Sequence, residues 1–231
     1  MTGLAALARS GDTDKVSAMD TTLTKPRLRR PQAERSADTR AKLIEAAITS
    51  LHRLGYGATS VTIVAEEAGV SRGAMTHQFP AKTDLMLAVV NAVYRKDSDH
   101  YRRAMAALSP RAWMHELPST MWATISQPSG IAVMEIMLAS RSDPELAIKL
   151  REMQSRIDVE AHNWVIERHA AAGITERPDG EAIHRVMVAA IRGLALEAVF
   201  MDNRAEVEKS IAVLAEVLRH LYPALQNPSE D

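Results

Sequence analysis

The chain has 231 residues, 46% hydrophobic and 25% charged, with 28 Lys and Arg against 29 Asp and Glu and a formal net charge of -1. Those proportions suit an ordinary globular protein and exclude both a strongly basic nucleic-acid coat and a strongly acidic disordered chain. Cys is absent, which excludes disulfide frameworks, Cys-ligated zinc, iron–sulfur clusters and thiol nucleophiles; without a run of about 18 apolar residues or a secretory leader pattern, a cytoplasmic protein with no membrane span is expected.

The balanced total hides an asymmetry. Residues 1–104 hold 16 Lys/Arg against 11 Asp/Glu, and residues 105–231 hold 12 against 18. A polyanion partner is therefore expected at the N-terminal half.

Residues 1–35 read as a disordered basic arm. Its end, Lys25-Pro26-Arg27-Leu28-Arg29-Arg30-Pro31, carries four cations within six residues, together with two prolines. It reads either as a solvated tail or as an arm placing Arg27, Arg29 and Arg30 in a DNA minor groove. The run loosely resembles an AT-hook, with Leu28 where that hook has glycine.

From residue 36 nearly everything reads as helix. Ser36 or Asp38 caps a first helix carrying Leu43, Ile44, Ala47, Ile48, Leu51 and Leu54 at 3/4 spacing, stopped by Gly55 and Gly57. Ser60 caps a short second helix that ends at Gly69, and Ser71 caps a third that ends near Gln78. A long helix follows from Lys82 to Leu108. Pro118 and the Pro128-Ser129-Gly130 run are expected to cut the next stretch into short helices. Ser142-Asp143-Pro144-Glu145 opens a helix reaching Ala172. Pro178 opens another, and the last spans Ala205 to Tyr222. No alternating strand pattern or internal repeat exists, so the fold class is all-α.

The segment Ser60 to Gln78 is two capped helices joined by Ala68-Gly69-Val70-Ser71, a helix-turn-helix pattern. A seven-residue helix is only about 10 Å long, short enough to enter a major groove roughly 12 Å wide. Residues 36–90 closely resemble the DNA-binding domain of TetR-family transcriptional regulators. The resemblance rests on Gly55-Tyr56, on Ser60, on the run Val64 through Ser71, and on Phe79, Lys82 and Leu85. One departure is visible: Thr76 and Gln78, with His77 between them, stand where the family usually has Tyr and His.

The resemblance implies a three-helix DNA-binding domain over residues 36–82, a helical regulatory domain over 83–226 for ligand binding and dimerisation, and a tail over 227–231. It places Ser60 and Thr62 on backbone phosphate, and Ser71, Arg72, Gly73, Ala74, Thr76 and His77 at the reading surface. Arg72 is the candidate for a bidentate guanine contact, and Gln78 and Lys82 for phosphate. Val64, Val70, Met75 and Phe79 are expected in the core.

Ile183, Met187, Leu194 and Met201, with Val207, Ile211, Leu214 and Leu218, form apolar stripes in the last two helices. The family pairs these helices with their copies in a homodimer, and the alternative is that the stripes close the monomer's own core. Trp113, Met121, Trp122, Met134, Met137, Trp164 and Met187 suggest a small-molecule site for an apolar or aromatic ligand, or an ordinary core. Arg141 and Arg192 could pair with a ligand carboxylate or sit at the surface. His115, His162, His169 and His184 lack metal-ligand spacing, and no phosphate loop or nucleophile elbow occurs, so no metal, cofactor or catalytic residue is expected.

The combined expectation is a homodimeric DNA-binding regulator, in its simplest form a repressor on a palindromic operator, released by the ligand. Leu85, Val89 and Val93 of the long helix would couple the two sites. A DNA-binding dimer without an effector, and a helical enzyme unrelated to DNA, remain the alternatives.

Overall fold

The computed structural model describes residues 32–171, 173–174, 179–201 and 204–222, so Arg27, Arg29 and Arg30 of the arm lie outside the described residues. The described residues form α1 (Gln32–Ala58), α2 (Val61–Glu67), α3 (Arg72–Gln78), α4 (Lys82–Ala106), α5 (Pro110–Ile125), α6 (Pro128–Ala139), α7 (Pro144–Ala171), α8 (Gly180–Phe200) and α9 (Arg204–Leu221), with no strand among them.

Several helix starts follow from side-chain caps. Ser60 Oγ accepts from the Ile63 N–H, Ser71 Oγ from the Ala74 N–H and Ser109 Oγ from the Ala112 N–H, each at 3.2 Å. Asp143 Oδ1 accepts from the Leu146 N–H at 3.0 Å, with Pro144 in the first turn of α7. A cap of this kind contributes about 1 kcal/mol.

Two starts and stops differ from the sequence reading. Helix α1 begins at Gln32, so residues 32–35 belong to a helix and not to the arm. Pro118 lies inside α5 instead of ending it. A mid-helix proline costs about 3 kcal/mol. Here Trp113, Met114, Leu117 and Met121, on both sides of it, are buried in one core. Each apolar side chain so buried returns roughly 1.5–3 kcal/mol, which outweighs the lost hydrogen bond.

The buried apolar side chains form two cores. The first core joins Leu43, Ala47 and Leu51 of α1, Val64 of α2, Met75 of α3 and Leu85, Val89 and Val93 of α4. It also includes Ala132 and Ile136 of α6 and Leu146 and Leu150 of α7. The second core joins Met105 of α4 to Trp113 and Met121 of α5, Ile183, Met187 and Ile191 of α8, and Val207, Ile211 and Leu218 of α9. Helix α4 therefore crosses from one core to the other.

Candidate nucleic-acid interface and ligand cavity

The α2–α3 turn depends on one residue. Gly69 sits at φ +62, where a side chain is strained. Its N–H donates to the Glu66 carbonyl at 3.1 Å and that of Val70 to the Ala65 carbonyl at 2.9 Å. Val70 packs against the first core and fixes the angle between the helices. Val64, Met75 and Phe79 are buried beneath it.

The outer side of this unit carries Thr62, Ser71, Arg72, Gly73, Thr76 and His77, all exposed, with Ser60 and Ala74 half-buried. Thr76 Oγ1 donates to the Arg72 carbonyl at 3.0 Å. Ser60 and Ser71 use their hydroxyl oxygens as caps, so their free contribution to an anion is the O–H hydrogen.

Gln78 and Lys82, expected on phosphate, each have an internal partner. The Gln78 amide nitrogen donates to the Ser36 hydroxyl at 2.7 Å and to its carbonyl at 3.3 Å. What remains, Oε1, is an acceptor and has nothing to offer a phosphate. Arg40 adds a second strap, its guanidinium 4.4 Å from the Phe79 ring centre and donating to the Gln78 carbonyl at 3.4 Å. Lys82 Nζ lies 3.8 Å from the centre of the Tyr56 ring and donates to the Tyr56 carbonyl at 2.8 Å. Burial pushes this ammonium below its ordinary pKa, and Asp143 offsets part of that. Both side chains tie the recognition helix and the start of α4 to α1.

A further junction, invisible in the sequence, sits at Gly55-Tyr56. Gly55 takes φ 74, ψ 172, which interrupts α1. The turned backbone presents the Tyr56 N–H to Glu135 Oε2 of α6 at 2.9 Å. The Tyr56 hydroxyl donates to Asp143 Oδ2 at 3.3 Å. One tyrosine thus contacts α4, α6 and the cap of α7.

The second site is a cavity of about 500 Å³ bounded by α4, α5, α6, α7 and α8. Of the aromatic and thioether side chains expected there, Met121, Met134 and Trp164 line it. Trp113 and Met187 are buried in the second core, Trp122 packs against that core, and Met137 faces an open groove beside α7. Arg141 lies in that groove too and is exposed. Arg192, named from sequence as a possible carboxylate partner, lines the cavity, whereas Asp97, Tyr101 and His184 were not assigned to it. Asp97, on the α4 face with Val93 and Tyr101, has its carboxyl pushed up to about 6 by burial. Burial also raises the Tyr101 phenol to about 12, although its hydroxyl shares a 2.7 Å hydrogen bond with Thr124 Oγ1. Arg192 and His184 approach from α8, the latter held toward its neutral form by burial.

The stripes expected for self-association are mostly occupied. Ile183, Met187, Val207, Ile211 and Leu218 are buried in the protomer, and Leu194 and Leu214 pack against that core. Of the eight, Met201 is exposed. The opposite faces carry the free apolar surface: Val186, Leu196, Val199 and Phe200 on α8, and Val213 and Val217 on α9. Gly193 lies on the same outward side, with open space beyond it.

Residues 43–89 match the family described as bacterial regulatory proteins, tetR family. The HTH-type transcriptional regulator CymR of Pseudomonas putida is 30% identical over 200 residues, covering 84% of this chain and 96% of that protein. Among solved structures, Salmonella enterica GusR aligns with a TM-score of 0.63 at 20% identity over 85% of this chain and 98% of its own, a likeness of fold. The multidrug binding protein EbrR, solved with imidazole, aligns with a TM-score of 0.55 at 26% identity over 83% and 97%. No helix among the described residues is long and apolar enough to cross a membrane. With the capped α2–α3 unit exposed on one side and buried on the other, and a relative of this similarity over nearly its whole length, the chain belongs to the TetR family: it is a DNA-binding transcriptional regulator and not an enzyme.

Proposed function

We propose that the protein is a homodimeric repressor whose operator grip is released by a small, largely apolar ligand in the α4–α8 cavity. The observation that carries this reading is the sharing of α4 between the two sites. Leu85, Val89 and Val93 pack in the same core as Met75 of the recognition helix. Val90, Val93, Tyr94, Asp97 and Tyr101 on the same helix line the cavity. An occupant that displaces α4 also displaces what is packed on its first turns. EbrR, of the same fold, is described as binding drugs, which supports a ligand role for this region.

Two copies joined through the outward faces of α8 and α9 would present two recognition helices. A palindromic operator demands that these helices lie about one helical turn of DNA, or a multiple of it, apart. A ligand-induced change of spacing then weakens both half-site contacts together. To switch occupancy cleanly, the ligand must favour the non-binding arrangement by several kcal/mol.

Gel shift with the DNA upstream of the protein's own coding region, at two salt concentrations, tests the reading. Affinity should fall steeply with salt, because each phosphate contact releases a counterion. Arg72→Ala should lower discrimination between operator and random duplex by roughly 1–3 kcal/mol. A shift indifferent to salt, or an operator complex unaffected by every apolar compound that binds the cavity, would overturn it.

A further inference from the structure

The carbonyl end of the recognition helix meets DNA at a disadvantage. A helix of seven residues is about 10 Å long and the major groove roughly 12 Å wide, so phosphates lie close to both of its ends. The last carbonyls of a helix carry partial negative charge and repel an anion unless a cation stands beside them. The two side chains expected to serve phosphate here are committed inward. The Gln78 amide nitrogen donates to Ser36, and the Lys82 ammonium donates to the Tyr56 carbonyl and faces the Tyr56 ring. Arg53, a further cation of α1, is paired with Glu67 at 2.9 Å.

The start of α1 brings a different cation to that end. Ser36 and Arg40 are four residues apart, so they share one face of the helix, and both touch Gln78, the last residue of α3. The Arg40 guanidinium lies 4.4 Å from the Phe79 ring centre and sends one N–H to the Gln78 carbonyl at 3.4 Å. That bond is long, and it leaves most of a five-donor fork unused. Phe79 is buried, whereas Arg40 above it is exposed. No carboxylate pairs with Arg40 among the described residues. The exposed Thr76 and His77 come just before Gln78, so the guanidinium stands within about one helical turn of the reading surface. A planar fork resting on a ring is already oriented, and its N–H edge matches two phosphate oxygens. Lys42 is exposed as well, but it lies two residues on, about 200° around α1 from Arg40.

We propose that Arg40 is a DNA contact: moored by α1 at the carbonyl end of the recognition helix, its guanidinium grips the backbone phosphate that Gln78 and Lys82 leave unserved. This role requires neither the ligand switch nor a particular operator.

The test uses the full chain and a fluorescently labelled duplex of mixed sequence. Anisotropy gives the affinity at several salt concentrations between about 50 and 200 mM. Arg40→Gln should make the plot of log affinity against log salt shallower by about 0.9 for each protomer bound. Arg40→Lys should keep the wild-type slope, because the charge stays. Gln78→Ala loses the mooring but no cation, so affinity should fall at an unchanged slope. Lys42→Ala should leave the slope as it is. An unchanged slope in R40Q, however large its loss of affinity, would reduce Arg40 to a prop for the helix and overturn the proposal. Equal flattening in K42A would do the same, since it marks the general field of the protein and not a contact. Phenylglyoxal labelling of the wild-type chain, read by mass spectrometry, covers the case in which R40Q does not fold. Arg40 should react in the free chain and be protected by the duplex; labelling that the duplex leaves unaltered also overturns the proposal.

Discussion

Gly55→Ala isolates the junction between the DNA-binding helices and α6. At φ 74, ψ 172 the backbone is in a region open essentially to glycine, and a side chain there costs about 1–3 kcal/mol. A Cβ would also stand 3.2 Å from Glu135 Oε2, the atom that accepts the Tyr56 N–H. Displacing that carboxylate forfeits a hydrogen bond to a charged group, worth about 1.5–3 kcal/mol where solvent is partly excluded. Because Tyr56 is half-buried the lower end applies, and the expected loss is about 2.5–4.5 kcal/mol. Urea unfolding measures it, at one fixed protein concentration because self-association adds to apparent stability. The Glu135→Ala background supplies a double-mutant cycle. There Gly55→Ala should retain only its backbone cost, leaving a coupling of about 1 kcal/mol or more. Gly57→Ala is the control, since Gly57 has ordinary backbone angles and open space around it, and it should be neutral or slightly stabilising. A loss below about 0.5 kcal/mol for G55A, or a coupling of zero, would refute the reasoning.

Gly130→Ala should be more damaging still, because its Cβ would lie 2.0 Å from the Ile125 carbonyl oxygen; a melting temperature within a degree or two of wild type would show that the α5–α6 connection yields freely. Asp97→Asn tests burial of the cavity carboxyl. Pushed up to about 6, this group holds a proton in the folded chain that the unfolded chain releases. Its favourable contribution is complete at low pH and lost as pH rises through about 6. The variant should therefore gain stability over wild type near pH 8 and match it near pH 4. Denaturant titrations at both values read this, and a difference independent of pH would mean the carboxyl is solvated. Val186→Asp puts a charge on the outward face of α8, where Val186 is 62% exposed in the protomer. It should shift the chain from dimer to monomer in sedimentation while leaving the helix content unchanged, whereas an unaltered dimer would place the interface elsewhere.

The DNA-binding helices were legible because short polar and flexible residues act locally. Ser60 and Ser71 cap and Gly69 turns whatever packs behind them. Pro118 misled because its local penalty competes with the burial of Trp113 and Met121, which no window of sequence around it reveals. The stripes on the last two helices were ambiguous for a different reason. Helix α8 is apolar on both sides, with Ile183, Met187, Ile191 and Ala195 inward and Val186, Leu196 and Phe200 outward. Periodicity finds two such stripes and cannot rank them. Asp97 was hidden as an ordinary charge on an amphipathic helix, since its seclusion comes from α5 and α7 closing over it. Gln78 and Lys82 were assigned by position in a motif, and their internal partners Ser36 and Tyr56 lie 42 and 26 residues away.

The straps on the recognition helix constrain how its specificity can be rewritten. Its last residue hangs from Ser36, and the ring that follows it lies under Arg40. Grafting only residues 72–78 from another regulator would import a foreign terminal side chain onto an anchor shaped for glutamine. A transplant that keeps its aim has to travel in two pieces, the seven-residue insert and the first three turns of α1 that moor it.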